Sequence, residues 1–237
     1  MDNETKTIAA LAIIILLLAW ALFQLNKPPS QPLDPTKPFP QLTVSTGQNK
    51  LFGIGQVKIV EITDYLCPFC RRFAIETEPK IKEKYSSKAE YFVRYFPVHG
   101  EPSSIAANGA MCAGDQGAFY QMHTLLFERA PQLSSDTSPI KEIGEEIGLD
   151  SQALSHCIDS KKYYSQISAD AKAAQEYGVT GTPTIIVIIS KDMLSKEEAA
   201  KRAADLNLKL YEDASSYTFA VIGYRDIQTF DRLLEGI

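Results

Sequence analysis

The sequence predicts an α/β domain whose sheet is interrupted by a block of helices, carried behind an apolar N-terminal helix. Three observations point there. Short β-branched runs at 56–63, 90–96, 184–190 and 217–223 alternate or are continuously apolar, as strands do. Between the second and third of them, 103–177 carries apolar residues at helical spacing. At the front, Ile8 to Phe23 is sixteen apolar residues without a charge.

The first strand, Gln56–Thr63 (QVKIVEIT), hands over to a helix expected across Phe69–Tyr85, where charges sit between apolar residues at helical spacing. Glu90–Phe96 (EYFVRYF) is the second strand. The helical block 103–177 is expected to break near Gly114, Pro131 and Pro139. Sheet returns at Thr184–Ser190 (TIIVIIS). The charged stretch 190–216 reads as an extra amphipathic helix on the surface, with a partner-binding role as the alternative. Tyr217–Gly223 (YTFAVIG) is the last strand and Asp226–Glu235 the closing helix. The expected order is therefore β-α-β, a helical block, β, a charged stretch, and β-α.

With 237 residues, 45% hydrophobic and 22% charged, the chain suffices for one domain of roughly 150 to 200 residues and an appendage. A net charge of −5 and the lack of any long Lys/Arg run exclude a nucleic-acid partner. After a short polar N-terminus at 1–7, residues 8–25 approach the ~20 that a bilayer requires, so they read as a membrane anchor. A cleaved signal peptide is the alternative, since Ala19-Trp20-Ala21 resembles a cleavage site, although Asp2 and Glu4 outnumber Lys6 ahead of the run. Residues 26–42 form a linker, six of the thirteen prolines falling between Lys27 and Gln41, extended and unable to join a core. The globular domain is expected over 43–237.

Four cysteines, Cys67, Cys70, Cys112 and Cys157, suit an oxidising compartment and place the domain on the extracytoplasmic side of the cell membrane. Cys67-Pro68-Phe69-Cys70 permits a metal clamp, a staple or a redox centre. The thiolate is the attacking species in disulfide exchange, so a redox pair needs one cysteine whose charged form is stabilised. Cys67 stands at the start of a helix, where free backbone N–H groups favour an anion. It is the expected nucleophile. Pro68 suits the first turn because its missing N–H costs nothing there. Cys70, three residues on, shares the helical face, can close the ring, and should be the more buried. A zinc site would need Cys112 and Cys157 to converge on the pair from distant segments. His99, His123 and His156 form no ligand cluster by spacing, and Phe119, Tyr120 and Phe127 recur at core spacing.

VEITDYLCPFCRRF, CAGDQGAFYQMHTLLFE, HCIDSKKY and GVTGTPTIIV, in that order, resemble the DsbA-like thiol:disulfide oxidoreductases across roughly 57–237. The resemblance implies a thioredoxin-like fold with an inserted helical domain. It implies that Glu61 is a carboxylate beneath the active site that exchanges a proton with Cys70; the alternative is a solvent-facing residue on an alternating strand. It further implies a cis peptide at Thr182–Pro183, facing the cysteines and offering backbone groups to an extended substrate, with Pro68 and Phe69 alongside; an ordinary turn is the alternative. Phe69 stands where a histidine would donate to the sulfur, so Cys67 is expected to be less acidic than in a CPHC member, with the Thr182 hydroxyl compensating in part. For Cys112 and Cys157 a structural disulfide is favoured over a second redox pair or two free thiols. His123 is expected to pack rather than react.

The function implied is donation of the Cys67–Cys70 disulfide to reduced secreted polypeptides, with reoxidation by a membrane partner of the DsbB or vitamin K epoxide reductase-like kind and no cofactor in the domain. A membrane-anchored reductase or isomerase is the rival enzyme, and a non-catalytic zinc-stapled binding module the rival from another class.

Overall fold

A computed structural model describes residues 49–133 and 136–237. The apolar run at 8–25 and the proline-rich stretch at 26–42 lie outside the described residues. Among the described residues, no helix is long and apolar enough to cross a membrane.

Six strands form one sheet in the order β1-β3-β2-β4-β6-β5. They are β1 (Lys50–Phe52), β2 (Val57–Thr63), β3 (Ala89–Tyr95), β4 (Thr184–Ser190), β5 (Lys209–Glu212) and β6 (Ser216–Ile222). Only β2 and β3 run parallel; the other pairings are antiparallel. A parallel pair needs a crossover, supplied by α1 (Pro68–Glu76) and α2 (Glu78–Tyr85). The central strands β2, β3 and β4 are buried along most of their length because both faces of the sheet are covered.

Strand period places the site. Side chains alternate across β2, so Val60 and Ile62 join Phe92 and Ile186 in the core on one face. Ile59 joins Tyr91, Val93 and both active-site cysteines on the other. Glu61 shares the second face, and its Cα is in register with Val93 on one side and Ile185 on the other. A carboxyl group is thus fixed in the middle of the sheet.

The helix expected across Phe69–Tyr85 is two helices. Pro79 lacks the N–H that would bond the carbonyl of Ile75, and its ring crowds that carbonyl. The backbone breaks at Thr77, and Pro79 falls in the first turn of α2, where a proline is tolerated. The helical block comprises α3 (Glu101–Gly114), α4 (Phe119–Glu128), α5 (Ser138–Glu146), α6 (Ser151–Asp159) and α7 (Tyr164–Glu176). Pro131 lies in a short 3₁₀ turn, Ala130–Gln132, while Pro139 begins α5 rather than breaking a helix.

Within the block, the Cys112–Cys157 disulfide joins α3 to α6. Asn108 adds a second tie, donating to Ile158 O at 3.2 Å and accepting from Tyr163 N at 3.0 Å. The stretch 190–216 contains the expected helix, α8 (Lys196–Asp205), capped by the Ser195 hydroxyl. It also contains β5, which pairs with β6 and was not expected. Phe119 and Phe127 are core residues, whereas Tyr120 is only half-buried, its ring under Lys82 Nζ at 3.5 Å. The chain closes with α9 (Ile227–Leu233), whose N-cap is Asp226.

Candidate active site

The loop after β2 is organised by a residue that the sequence reading passed over. The Asp64 carboxylate is fully buried and accepts from Leu66 N at 2.8 Å, Val98 N at 2.8 Å and His99 N at 3.1 Å, and it contacts His99 Nδ1 at 2.9 Å. The bond to Leu66, two residues on, is the Asx turn that an aspartate favours. Cys67 N then donates to Asp64 O at 3.0 Å. Clamped in this way, Cys67 becomes the N-cap of α1 with extended backbone, φ −75° and ψ 121°, followed by Pro68.

No side-chain oxygen caps this helix. The N–H groups of the first turn are left to the Cys67 sulfur, the most favourable place on a helix for a negative charge.

Cys67 is 5% exposed and Cys70 is sealed at 0%. Neither is in a disulfide in this structure. The Cys67 thiol is lowered to about 5, first by a hydrogen bond from the Cys70 thiol, with burial opposing and Thr182 and the Phe69 and Cys70 N–H groups adding smaller contributions. Burial pushes Cys70 far the other way, reinforced by the hydrogen bond to Cys67, by the Cys67 charge and by Glu61. One sulfur is therefore an anion at neutral pH and its neighbour holds its proton.

The opposite wall is the turn into β4. Thr182–Pro183 is cis. Cys67 Sγ lies 3.4 Å from Thr182 O. The loop is tied at both ends, Thr184 Oγ1 donating to Gly181 O and Gly223 N to Pro183 O, each at 2.8 Å. The Thr182 hydroxyl is buried without a hydrogen-bond partner among the described residues, so it is free to turn toward a thiolate. Phe69, between the two cysteines, is 59% exposed.

Beneath Cys70, Glu61 is fully buried, so the solvent-facing alternative is wrong. Tyr91 Oη donates to its Oε2 at 2.8 Å, while Oε1 has no partner among the described residues. Burial raises Glu61 to about 7, helped by the Glu78 charge and opposed by His123 and by the Tyr91 hydrogen bond. His123 is not simply a packing residue: it bonds Glu78 and Tyr65 within reach of Glu61. Glu78 and His123 each interrupt an apolar helical stripe, Cys70-Phe73-Ala74-Ile81 in one case and Phe119-Met122-Leu126-Phe127 in the other. A polar residue on such a stripe was the available signal.

The structure brings Cys67, Cys70, Glu61, Thr182 and Pro183 to one place and sets Cys112 and Cys157 apart in the helical block, bonded to each other. That pairing removes the two further thiolates that the zinc alternative required.

A thioredoxin family model matches residues 55–209. The chain belongs to the thioredoxin family. Its relatives and structural neighbours include a disulfide bond formation protein and a DsbA. It is 27% identical over 139 residues to disulfide bond formation protein D of Bacillus subtilis, covering 55% of this chain and 63% of that one. It is 31% identical over 136 residues to Na(+)/H(+) antiporter NhaA 1 of Salinispora arenicola, covering 55% of this chain but 20% of the antiporter. The chain thus spans less than two thirds of the length of both relatives. Among solved structures, Wolbachia pipientis alpha-DsbA1 superposes with a TM-score of 0.62 at 23% identity, over 78% of this chain and 88% of that one.

Proposed function

We propose that this thioredoxin-family domain is an extracytoplasmic, membrane-anchored thiol:disulfide oxidoreductase that donates its Cys67–Cys70 disulfide to reduced secreted polypeptides. The observation that carries this reading is the opposite displacement of the two thiols, Cys67 down to about 5 and Cys70 strongly up. A stabilised thiolate on Cys67 favours the dithiol state of the pair, so its disulfide is a ready oxidant.

In the first step a substrate thiolate attacks Cys67 Sγ and the Cys67–Cys70 bond breaks. Cys70 leaves with the bonding electron pair and takes the proton of the Glu61 carboxyl. In the second step another substrate thiolate attacks the substrate sulfur of the mixed disulfide, and Cys67 leaves as a thiolate. The substrate is oxidised by two electrons and the enzyme reduced by two. Of the two substrate protons, one restores Glu61 and the other goes to solvent.

Thr182 O and the backbone around Pro183 present an unspecific surface to an extended peptide, as a general oxidant needs. The bond between Cys112 and Cys157 acts as a structural staple of the helical block. Turnover requires a membrane reoxidant of the DsbB or vitamin K epoxide reductase-like kind, and no cofactor takes part in the exchange itself.

The test is to mix the oxidised protein with a reduced, unfolded polypeptide and follow substrate thiols. Loss of two thiols per protein, with Cys67 and Cys70 becoming alkylatable together, supports the reading. Retention of all substrate thiols would overturn it.

A further inference from the structure

Four elements send polar side chains into a sealed space under the cysteines. Glu61 comes from β2, Tyr91 from β3, Glu78 from α2 and His123 from α4, joined by Tyr65 from the active-site loop. His123 Nε2 lies 3.0 Å from Glu78 Oε2 and Nδ1 lies 2.9 Å from Tyr65 Oη, which reaches Tyr95 Oη at 3.5 Å. Ligand atoms of Glu61, Glu78 and His123 all fall within 4.8 Å of one another. Both imidazole nitrogens are engaged by the protein, which argues for a proton-holding cluster rather than an open metal cradle.

The charge states of this cluster are constrained by its burial. Two ionised carboxylates in a dry pocket repel, so one keeps its proton unless a cation is shared between them. Glu78 is bonded to His123, whereas Glu61 Oε1 faces the space without a partner. With His123 as the imidazolium paired to Glu78, Glu61 is the group left to give and take a proton. Around it stand Cys70 from α1, Tyr91 and Tyr95 from β3, Glu78 from α2, His123 from α4 and Tyr65 from the loop.

We propose that Glu78 and His123 are a positioning pair that sets the pH at which Glu61 hands its proton to Cys70, and so the pH range over which the disulfide is delivered. The inference rests on the Glu61 role proposed above. When the Cys67–Cys70 bond breaks, Cys70 Sγ departs with the electron pair, the Glu61 proton moves to that sulfur, and a carboxylate is left facing Glu78. The His123 imidazolium keeps that moment at one net negative charge in the cluster instead of two. Burial alone would lower His123, but the charge and hydrogen bond of Glu78, and then Glu61, turn its shift upward. For Glu61, Glu78 and His123 act in opposite directions.

Those opposite signs make the test. The Glu61 carboxyl is titrated by carbon NMR in the full oxidised chain and in two variants. Glu78→Gln removes a like charge while keeping the side-chain shape, and the Glu61 midpoint should fall by about one pH unit. His123→Gln removes the opposing cation, and the midpoint should rise by about as much. A purely structural role would move both variants the same way or not at all, and either result overturns the proposal. If His123→Gln does not fold, Glu78→Gln decides alone: a fall supports the pair, and no change or a rise overturns it.

The rate of mixed-disulfide formation with glutathione is measured against pH in parallel for the parent chain and Glu61→Gln. Loss of the parent's inflection near neutrality in Glu61→Gln supports the underlying Glu61 role. An unchanged profile removes that role, and the proposal with it, whatever the carboxyl midpoints do. Failure of the pair alone leaves that profile difference intact, so the two failures are distinct.

Discussion

Cys67–Cys70 and Cys112–Cys157 are two cysteine pairs on one chain with opposite designs. The first spans one helical turn, opens a helix, meets a carboxylate below and a peptide carbonyl in front, and stands as two thiols displaced in opposite directions. The second bridges 45 residues, lies between two helices of the inserted block and is closed. A long loop makes a disulfide effective at restricting the unfolded chain, whereas a short one with a stabilised thiolate makes it transferable. Position relative to a helix start, rather than the cysteine itself, decides which outcome results.

The largest expected effect breaks the first pair. Cys67→Ser should abolish disulfide transfer, whereas Cys70→Ser should retain a thiolate at 67 that attacks a substrate disulfide and stops at a mixed disulfide, visible as a covalent adduct by mass spectrometry. Equal behaviour of the two variants would contradict the division of roles.

Breaking the second pair should cost stability and leave the chemistry in place. The Cys112→Ala/Cys157→Ala variant should lose about 4 kcal/mol in urea unfolding on the chain-entropy estimate. The thiolate titration of Cys67 should stay where it is. A displaced titration would show that the two pairs communicate.

The pH dependence of stability sharpens the contrast, because only the first pair titrates. The Cys67 pKa falls from 9.0 to about 5 on folding. The unfolded chain therefore binds the extra proton between those limits, and this contribution to the dithiol form rises with pH from about 5 to 9 and is lost as pH falls through 5. Glu61 works in the opposite sense, since its pKa rises from 4.5 to about 7 and folding is disfavoured progressively across that interval. Urea unfolding of the dithiol form should show Glu61→Gln gaining stability relative to the parent as pH rises from 4.5 to 7. A constant difference across that range would place the carboxyl outside the buried site.

The smallest expected effect is at the facing loop. Thr182→Val removes one of the lesser contributions to the Cys67 thiolate and should raise its midpoint by less than about one unit, measured by thiolate absorbance. A larger rise would make the hydroxyl, not the Cys70 thiol, the main support.

Much of this site was legible in local sequence. A β-branched run followed by Cys-Pro-Phe-Cys locates a strand-to-helix junction, and helix physics alone then distinguishes Cys67 from Cys70. Glu61 could be placed on a strand but not on a buried face, because alternation alone does not say which face is covered; its burial became evident only once β3 and β4 flanked it. β1 and β5, of three and four residues, have no periodicity to read and owe their conformation to β3 and β6. Glu78 and His123 sit on otherwise apolar helical stripes that resemble ordinary core faces, and their partnership is set by tertiary packing between α2 and α4.

The most direct measurement is the reduction potential of Cys67–Cys70, equilibrated with glutathione while Cys112 and Cys157 are followed by thiol labelling. A Cys67 thiol near 5 lies between the values of about 3.5 for DsbA and about 7 for thioredoxin. The expected potential therefore falls between about −120 mV and about −270 mV, more oxidising than thioredoxin. A value at or below about −270 mV would contradict disulfide donation and leave the reductase in its place.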